Sequence, residues 1–159
     1  MLTHTITLTV NGYEERLTVE SRMTVADALR DELGLTGTKK ACEEGICGAC
    51  TVDLNGELVS ACLVLAVQAD GGRITTIEGI DENGELHPVQ RAFLKFGAVQ
   101  CGFCTPGMIM TARGFLQENP SPTEYEIRVA IAGNICRCTG YVKIVEAIAA
   151  AAQEMAPAT

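Results

Sequence analysis

The placement of eight cysteines constrains this chain more than any other feature. Seven fall in three short glycine-bearing stretches: "CEEGICGAC" with Cys42, Cys47 and Cys50, "QCGFCTPG" with Cys101 and Cys104, and "NICRCTGY" with Cys136 and Cys138. Cys62 stands alone. With only two histidines in 159 residues, any bound metal must be held almost wholly through sulfur. The opening "MLTHTITLTVNG" lacks the basic region, apolar run and small-residue cleavage site of a secretory signal. The expected compartment is therefore the cytoplasm, where thiols stay reduced and clustered cysteines read as metal ligands rather than disulfides. No apolar run reaches the roughly 18 residues of a membrane span. A net charge of −8 without any basic run argues against nucleic acid or an anionic membrane as partner.

Hydrophobic periodicity divides the chain in two. In "HTITLTVNG", Ile6, Leu8 and Val10 alternate with threonines up to Asn11-Gly12, a hairpin signal. "EERLTVE" resumes the alternation, and "ACTVDLNGELVSAC" predicts a second hairpin turning at Asn55-Gly56. Between them, Thr24 precedes "VADALRDELG", whose apolar residues recur at helical spacing up to a capping Gly34. "RITTIEGI" closes this half as an expected strand. From His87 onward the period is helical. "PVQRAFLKFG", "PGMIMTARGFLQENP", "YEIRVAIAG" and "YVKIVEAIAAAAQEM" each predict a helix. Ser121 to Glu124 predicts a capping box with proline at N1 for the third of them. The polar "DENGELH" reads as a linker. The expected organisation is a β-rich domain over 1–79 and an all-helical domain over 86–156, with a frayed tail "APAT".

The cysteines sort by half. Cys42, Cys47 and Cys50 have C-x4-C-x2-C spacing, with Cys62 following after eleven intervening residues, which is the plant-type [2Fe–2S] pattern. Gly45 and Gly48 let the chain wrap closely enough for backbone N–H groups to face the sulfurs. A four-cysteine zinc site more often pairs its ligands in two knuckles. In the helical half, Cys101-x2-Cys104 and Cys136-x-Cys138 each precede a predicted helix. Two helix N-termini would then favour anionic thiolates there. Spacing alone leaves [2Fe–2S] and zinc both open for this second set.

In this order and spacing, "CEEGICGACTV", "VQCGFCTPGM" and "GNICRCTGY" resemble the small iron–sulfur subunit of the xanthine oxidase family of molybdenum hydroxylases. All eight cysteines match, over nearly the whole chain. The resemblance implies an α+β protein: an N-terminal plant-type ferredoxin β-grasp domain followed by an all-α four-helix-bundle [2Fe–2S] domain. It implies two [2Fe–2S] clusters, one on Cys42, Cys47, Cys50 and Cys62 and one on Cys101, Cys104, Cys136 and Cys138. Gln100 matches the family glutamine that hydrogen-bonds the pterin of the molybdenum cofactor, and Cys138 the cysteine nearest that pterin. The implied partners are a large subunit carrying molybdopterin in its dinucleotide form and a medium subunit carrying FAD, in a dimer of heterotrimers. The implied task is one-electron relay from the molybdopterin centre, during oxidation of an aromatic, heterocyclic or aldehyde-type substrate, to FAD or another acceptor. "TGYVKI" is similar to members that oxidise aromatic rings and heterocycles. A chain ending at Thr159 is expected to be a separate subunit.

No GxGxxG fingerprint and no P-loop is present. His4 and His87 read as surface residues. Arg137 is read either as a partner of negative charge or as a solvated arginine, and Glu43-Glu44 as an exposed acidic pair. The alternative function is a stand-alone two-cluster electron carrier resembling a ferredoxin; a zinc-stabilised interaction module is the third possibility.

Overall fold

The structure, a computed structural model, describes residues 2–81 and 83–156. Both predicted hairpins form. Strands β1 (Thr3–Val10) and β2 (Tyr13–Glu20) pair antiparallel from Thr3↔Glu20 to Val10↔Tyr13. Strands β3 (Thr51–Leu54) and β4 (Glu57–Ser60) pair around Asn55-Gly56. At each turn the Asn and the Gly both have positive φ, as a two-residue turn that matches strand twist demands. Strand β5 (Arg73–Thr75) runs parallel to β1 and antiparallel to β3, giving the sheet order β2-β1-β5-β3-β4. This is a mixed five-stranded sheet.

Ile6, Leu8 and Val10 point inward, under a helix that starts as predicted. Helix α1 (Val25–Asp27) is capped by Thr24, whose hydroxyl and backbone exchange hydrogen bonds with Asp27. From Ala28 to Glu32 the helix widens into a π turn, with Leu33 N–H reaching Ala28 O. Gly34, at φ +70°, ends it. One expectation fails here. "RITTIEGI" is a strand for only three residues, then a 3-10 turn over Ile77–Gly79. The reason lies in the first hairpin. The Asn11 side chain accepts from Thr76 N–H at 2.9 Å and donates to Thr76 Oγ1 at 3.0 Å, replacing a strand partner at that point.

The second half is α2 (Pro88–Lys95), α3 (Thr105–Glu118), α4 (Glu124–Ala130) and α5 (Val142–Met155). Their core is Val89, Phe93, Met108, Ile127, Ile144 and Ile148, with Ile80 joining it from before α2. The capping box of α4 sits two residues later than predicted. Thr123 and Glu126 exchange the paired bonds, so Pro122 precedes the cap rather than following it. Its fixed φ serves the extended approach to a cap as well as a first helical turn. His87 is also not a surface residue. It is 6% exposed and caps α2, its Nδ1 accepting from Val89 N–H, because the intervening Pro88 has no N–H to cap. His4 is half-buried, its Nε2 2.8 Å from Ser21 Oγ.

The two halves meet where α3 lies against β3 and β4. Asp53 and Arg113 pair at 3.6 Å, and Gly114 sits so close to Leu58 that a Cβ would come within 2.8 Å of its side chain. At the N-terminal end of α3 the approach is tighter still. A Cβ on Gly107 would lie 2.1 Å from the carbonyl oxygen of Gly48, in the first cysteine loop. Helix packing thus brings the two cysteine-bearing regions side by side.

Candidate metal centres

The first cysteine loop is shaped by its own backbone. Glu43, Gly45 and Gly48 all take positive φ, which curls the chain around Cys42. The amides of Glu44, Ile46 and Cys47 then point at Cys42 Sγ, each at 3.4 Å. These three donors hold its thiol down to about 6, in a position fit for a thiolate. Lys40 ties the loop to α1: its Nζ lies 2.5 Å from Asp27 and 3.1 Å from Glu43. Glu43 is therefore engaged in an ion pair, not merely exposed. Cys47 adjoins Cys42. Cys50 and Cys62 are buried and adjoin each other, linked by Ala61 N–H donating to Cys50 O. Burial pushes the Cys50 thiol up to about 11. The isolated Cys62 is thus brought to the loop by the β3–β4 hairpin.

The second set comes from two places. Cys101 and Cys104 precede α3, and Cys136 and Cys138 lie between α4 and α5. Cys101 Sγ and Cys138 Sγ are 3.6 Å apart and both exposed, while Cys104 adjoins the buried Cys136. The expected helix-terminus effect does not prevail at Cys104. It is the N-cap of α3, but its side chain makes no capping bond, and burial pushes its thiol up to about 12. At Cys136, burial also raises the thiol, but hydrogen bonds from Thr139, the Cys138 amide and Cys104 together hold the group below its ordinary value. The Thr139 hydroxyl is 3.0 Å from Cys136 Sγ. The Cys138 thiol is raised by the neighbouring Cys101. Gln100, next to Cys101, is exposed, and so is Arg137.

Several residues that organise these sites went unread in the sequence. Asn134 is buried and its Nδ2 donates to Gly48 O at 2.9 Å. Ile135 N–H donates to Cys47 O, also at 2.9 Å. These two bonds stitch the second cysteine loop onto the first. The Tyr141 hydroxyl accepts from Cys136 N–H at 2.8 Å, although Tyr141 itself sits at φ +68°. A glycine at 48 and another at 107 were the available signals of close approach; nothing local marked Asn134 or Thr139.

The donor sets suit two-iron clusters. Among the described residues no three His, Cys, Asp or Glu side chains gather as ligands of one ion. The thiols stand instead in four pairs, 42 with 47, 50 with 62, 101 with 138 and 104 with 136. A [2Fe–2S] cluster takes four thiolates, two for each iron. The fit is therefore of the right kind at both sites.

Comparison with known proteins agrees. Residues 8–76 match the 2Fe-2S iron-sulfur cluster binding domain, and residues 76–149 the [2Fe-2S] binding domain. The chain is 50% identical to the nicotinate dehydrogenase small FeS subunit of Eubacterium barkeri, covering 96% of this chain and 97% of that one. It superposes on a chain of quinoline 2-oxidoreductase from Pseudomonas putida 86 with a TM-score of 0.92 at 48% identity, over 95% and 94% of the two chains. It also matches aldehyde oxidoreductase from Desulfovibrio gigas with a TM-score of 0.89 at 44% identity, covering 97% of this chain but 18% of that longer one. The chain belongs to the family of small [2Fe–2S] electron-transfer subunits of molybdenum hydroxylases.

Proposed function

We propose that this subunit relays single electrons between a molybdopterin centre on a large subunit and FAD, or another acceptor, on a further one. Cys42, Cys47, Cys50 and Cys62 hold the cluster far from molybdenum. Cys101, Cys104, Cys136 and Cys138 hold the near one, in a two-domain arrangement over 1–79 and 86–156. Each cluster, when bound, supplies a centre that accepts and returns one electron. The rest is the protein's own work. Its backbone fixes the distance between the two sets and excludes water from Cys50, Cys62 and Cys136.

The observation that carries this reading is the bridge between the sets. From Cys47 the path runs through its own carbonyl, across one 2.9 Å hydrogen bond to Ile135 N–H, and on to the adjoining Cys136. An electron path between the two sites thus needs only covalent bonds and one hydrogen bond.

Exposure supports the partners at either end. Cys101, Cys138 and Gln100 are exposed beside an apolar rim of Phe103 and Ile135, 45% and 49% exposed. This is the face proposed to meet the large subunit, with Gln100 and Cys138 reaching the pterin in its dinucleotide form. At the first loop, Ile46 and Leu63 are each 59% exposed, which suits the FAD-bearing partner. The substrate class follows the relatives: an aromatic heterocycle or an aldehyde, oxidised on the large subunit. The assembly is a dimer of heterotrimers.

The test is to produce the chain with its candidate partner subunits and reduce the purified complex. Two distinct [2Fe–2S] EPR signals and co-elution with a molybdenum-containing subunit are expected. A colourless, EPR-silent, zinc-loaded chain would rule out the relay. A chain carrying both clusters that stays monomeric beside those subunits would identify a diffusing carrier instead.

A further inference from the structure

We propose that Thr139 tunes the reduction potential of the centre in the helical half, by donating its hydroxyl hydrogen to the sulfur of Cys136. This rests on the reading that Cys136 is a cluster ligand. A ligating cysteine is a thiolate with no proton of its own, so in the 3.0 Å contact the threonine must be the donor.

The donor is aimed by its neighbours. Tyr141 N–H donates to Thr139 Oγ1 at 3.2 Å, occupying an acceptor position on that oxygen and leaving the hydroxyl hydrogen for the sulfur. The Tyr141 hydroxyl in turn accepts from Cys136 N–H at 2.8 Å. Three bonds therefore close a ring within residues 136–141: Cys136 amide to Tyr141 hydroxyl, Tyr141 amide to Thr139 hydroxyl, Thr139 hydroxyl to Cys136 sulfur. Within this ring Tyr141 takes a left-handed backbone conformation, at φ +68° and ψ −19°, which is costly for a bulky side chain. The ring at Cys136 is held by packing, since Tyr141 lies against the helical core that includes Ile131 and Val145.

The consequence is electrostatic. Reducing a cluster adds negative charge that its ligand sulfurs share, and a hydrogen bond to a more negative acceptor is stronger. The Thr139 hydroxyl therefore favours the reduced state and raises the potential of this centre. At the first loop the corresponding donors are backbone amides on Cys42. At Cys136 the amides of Cys138 and Thr139 are joined by a side-chain hydroxyl that one substitution can remove.

The experiment is an EPR-monitored redox titration of the full chain in complex with its native partner subunits, where the first cluster serves as internal reference. In Thr139→Val, the reduced-to-oxidised ratio of the second cluster at a fixed poise falls about tenfold, the scale of one charge-assisted hydrogen bond weakened in one charge state. The first cluster does not move, and Thr139→Ser restores the wild-type ratio. Should valine hinder assembly, Thr139→Ala removes the same hydroxyl with less bulk and must give the same shift. An unmoved second cluster in both variants, or an equal shift of both clusters, overturns the proposal. So does loss of the second cluster from both variants, which would mark Thr139 as an assembly residue. A wild-type complex without a second [2Fe–2S] signal would overturn the ligand assignment itself, a failure visible before any variant is made.

Discussion

The two cysteine sets solve one coordination problem in opposite ways. The first is nearly self-contained: three candidate ligands and all three amide donors to Cys42 lie within residues 42–50. The second is assembled from loops 32 residues apart, between Cys104 and Cys136, and adds side chains, Thr139 and Tyr141, to the backbone amides that serve Cys136. A glycine-rich loop can build its own site because backbone amides are always to hand. A site made where helices meet also draws on the amides of its own loop, those of Cys138 and Thr139 at Cys136, but adds donors from particular side chains.

The largest effect should come from separating the sets. Cys104→Ser is expected to halve the iron and acid-labile sulfide of the purified chain while leaving the EPR signal of the first cluster intact. Cys50→Ser should do the converse. Equal loss of both signals in either variant would show that the sets are not independent.

Next comes the contact that joins them. Gly107→Val forces a side chain onto the Gly48 carbonyl, only 2.1 Å from the new Cβ. Denaturant unfolding of the cluster-loaded chain should show destabilisation of about 3 kcal/mol, as overpacking of a tight contact does. Gly114→Ala, whose new Cβ meets only the flexible Leu58 side chain, should cost clearly less.

The smallest effect is expected from Asn134→Ala, which removes one donor from the buried Gly48 carbonyl and leaves the Thr51 hydroxyl bonded to it at 2.8 Å. A loss of about 1 kcal/mol, the net worth of one hydrogen bond, is expected in the same unfolding measurement. Electron transfer between clusters, followed by rapid reduction, should slow little, because the Ile135–Cys47 bond survives the change. A large slowing would move the path from the backbone to Asn134.

Much of this was legible in the chain itself. Asn11-Gly12 and Asn55-Gly56 announced both hairpins, since few residue pairs tolerate two successive positive φ values. The four later helices followed from their apolar spacing, and the first cysteine loop from its glycines. Errors arose where a distant group decided the outcome. Thr76 was read as strand because nothing near it reveals that Asn11 would capture its amide and hydroxyl. His87 reads as exposed, although its ring accepts from Val89 N–H, the first free amide of α2 after Pro88.

By itself, then, the sequence determined the ligand inventory, the order of the elements and the division of cysteines between two halves, because each depends on local periodicity or on spacing within a few residues. Tertiary structure alone decided which thiols stand together, that Cys47 and Cys136 are one hydrogen bond apart along the backbone, and which thiols are buried. Those are matters of packing between segments as far as 89 residues apart, from Cys47 to Cys136, where the closest approach is set by two glycines and no local pattern reports it.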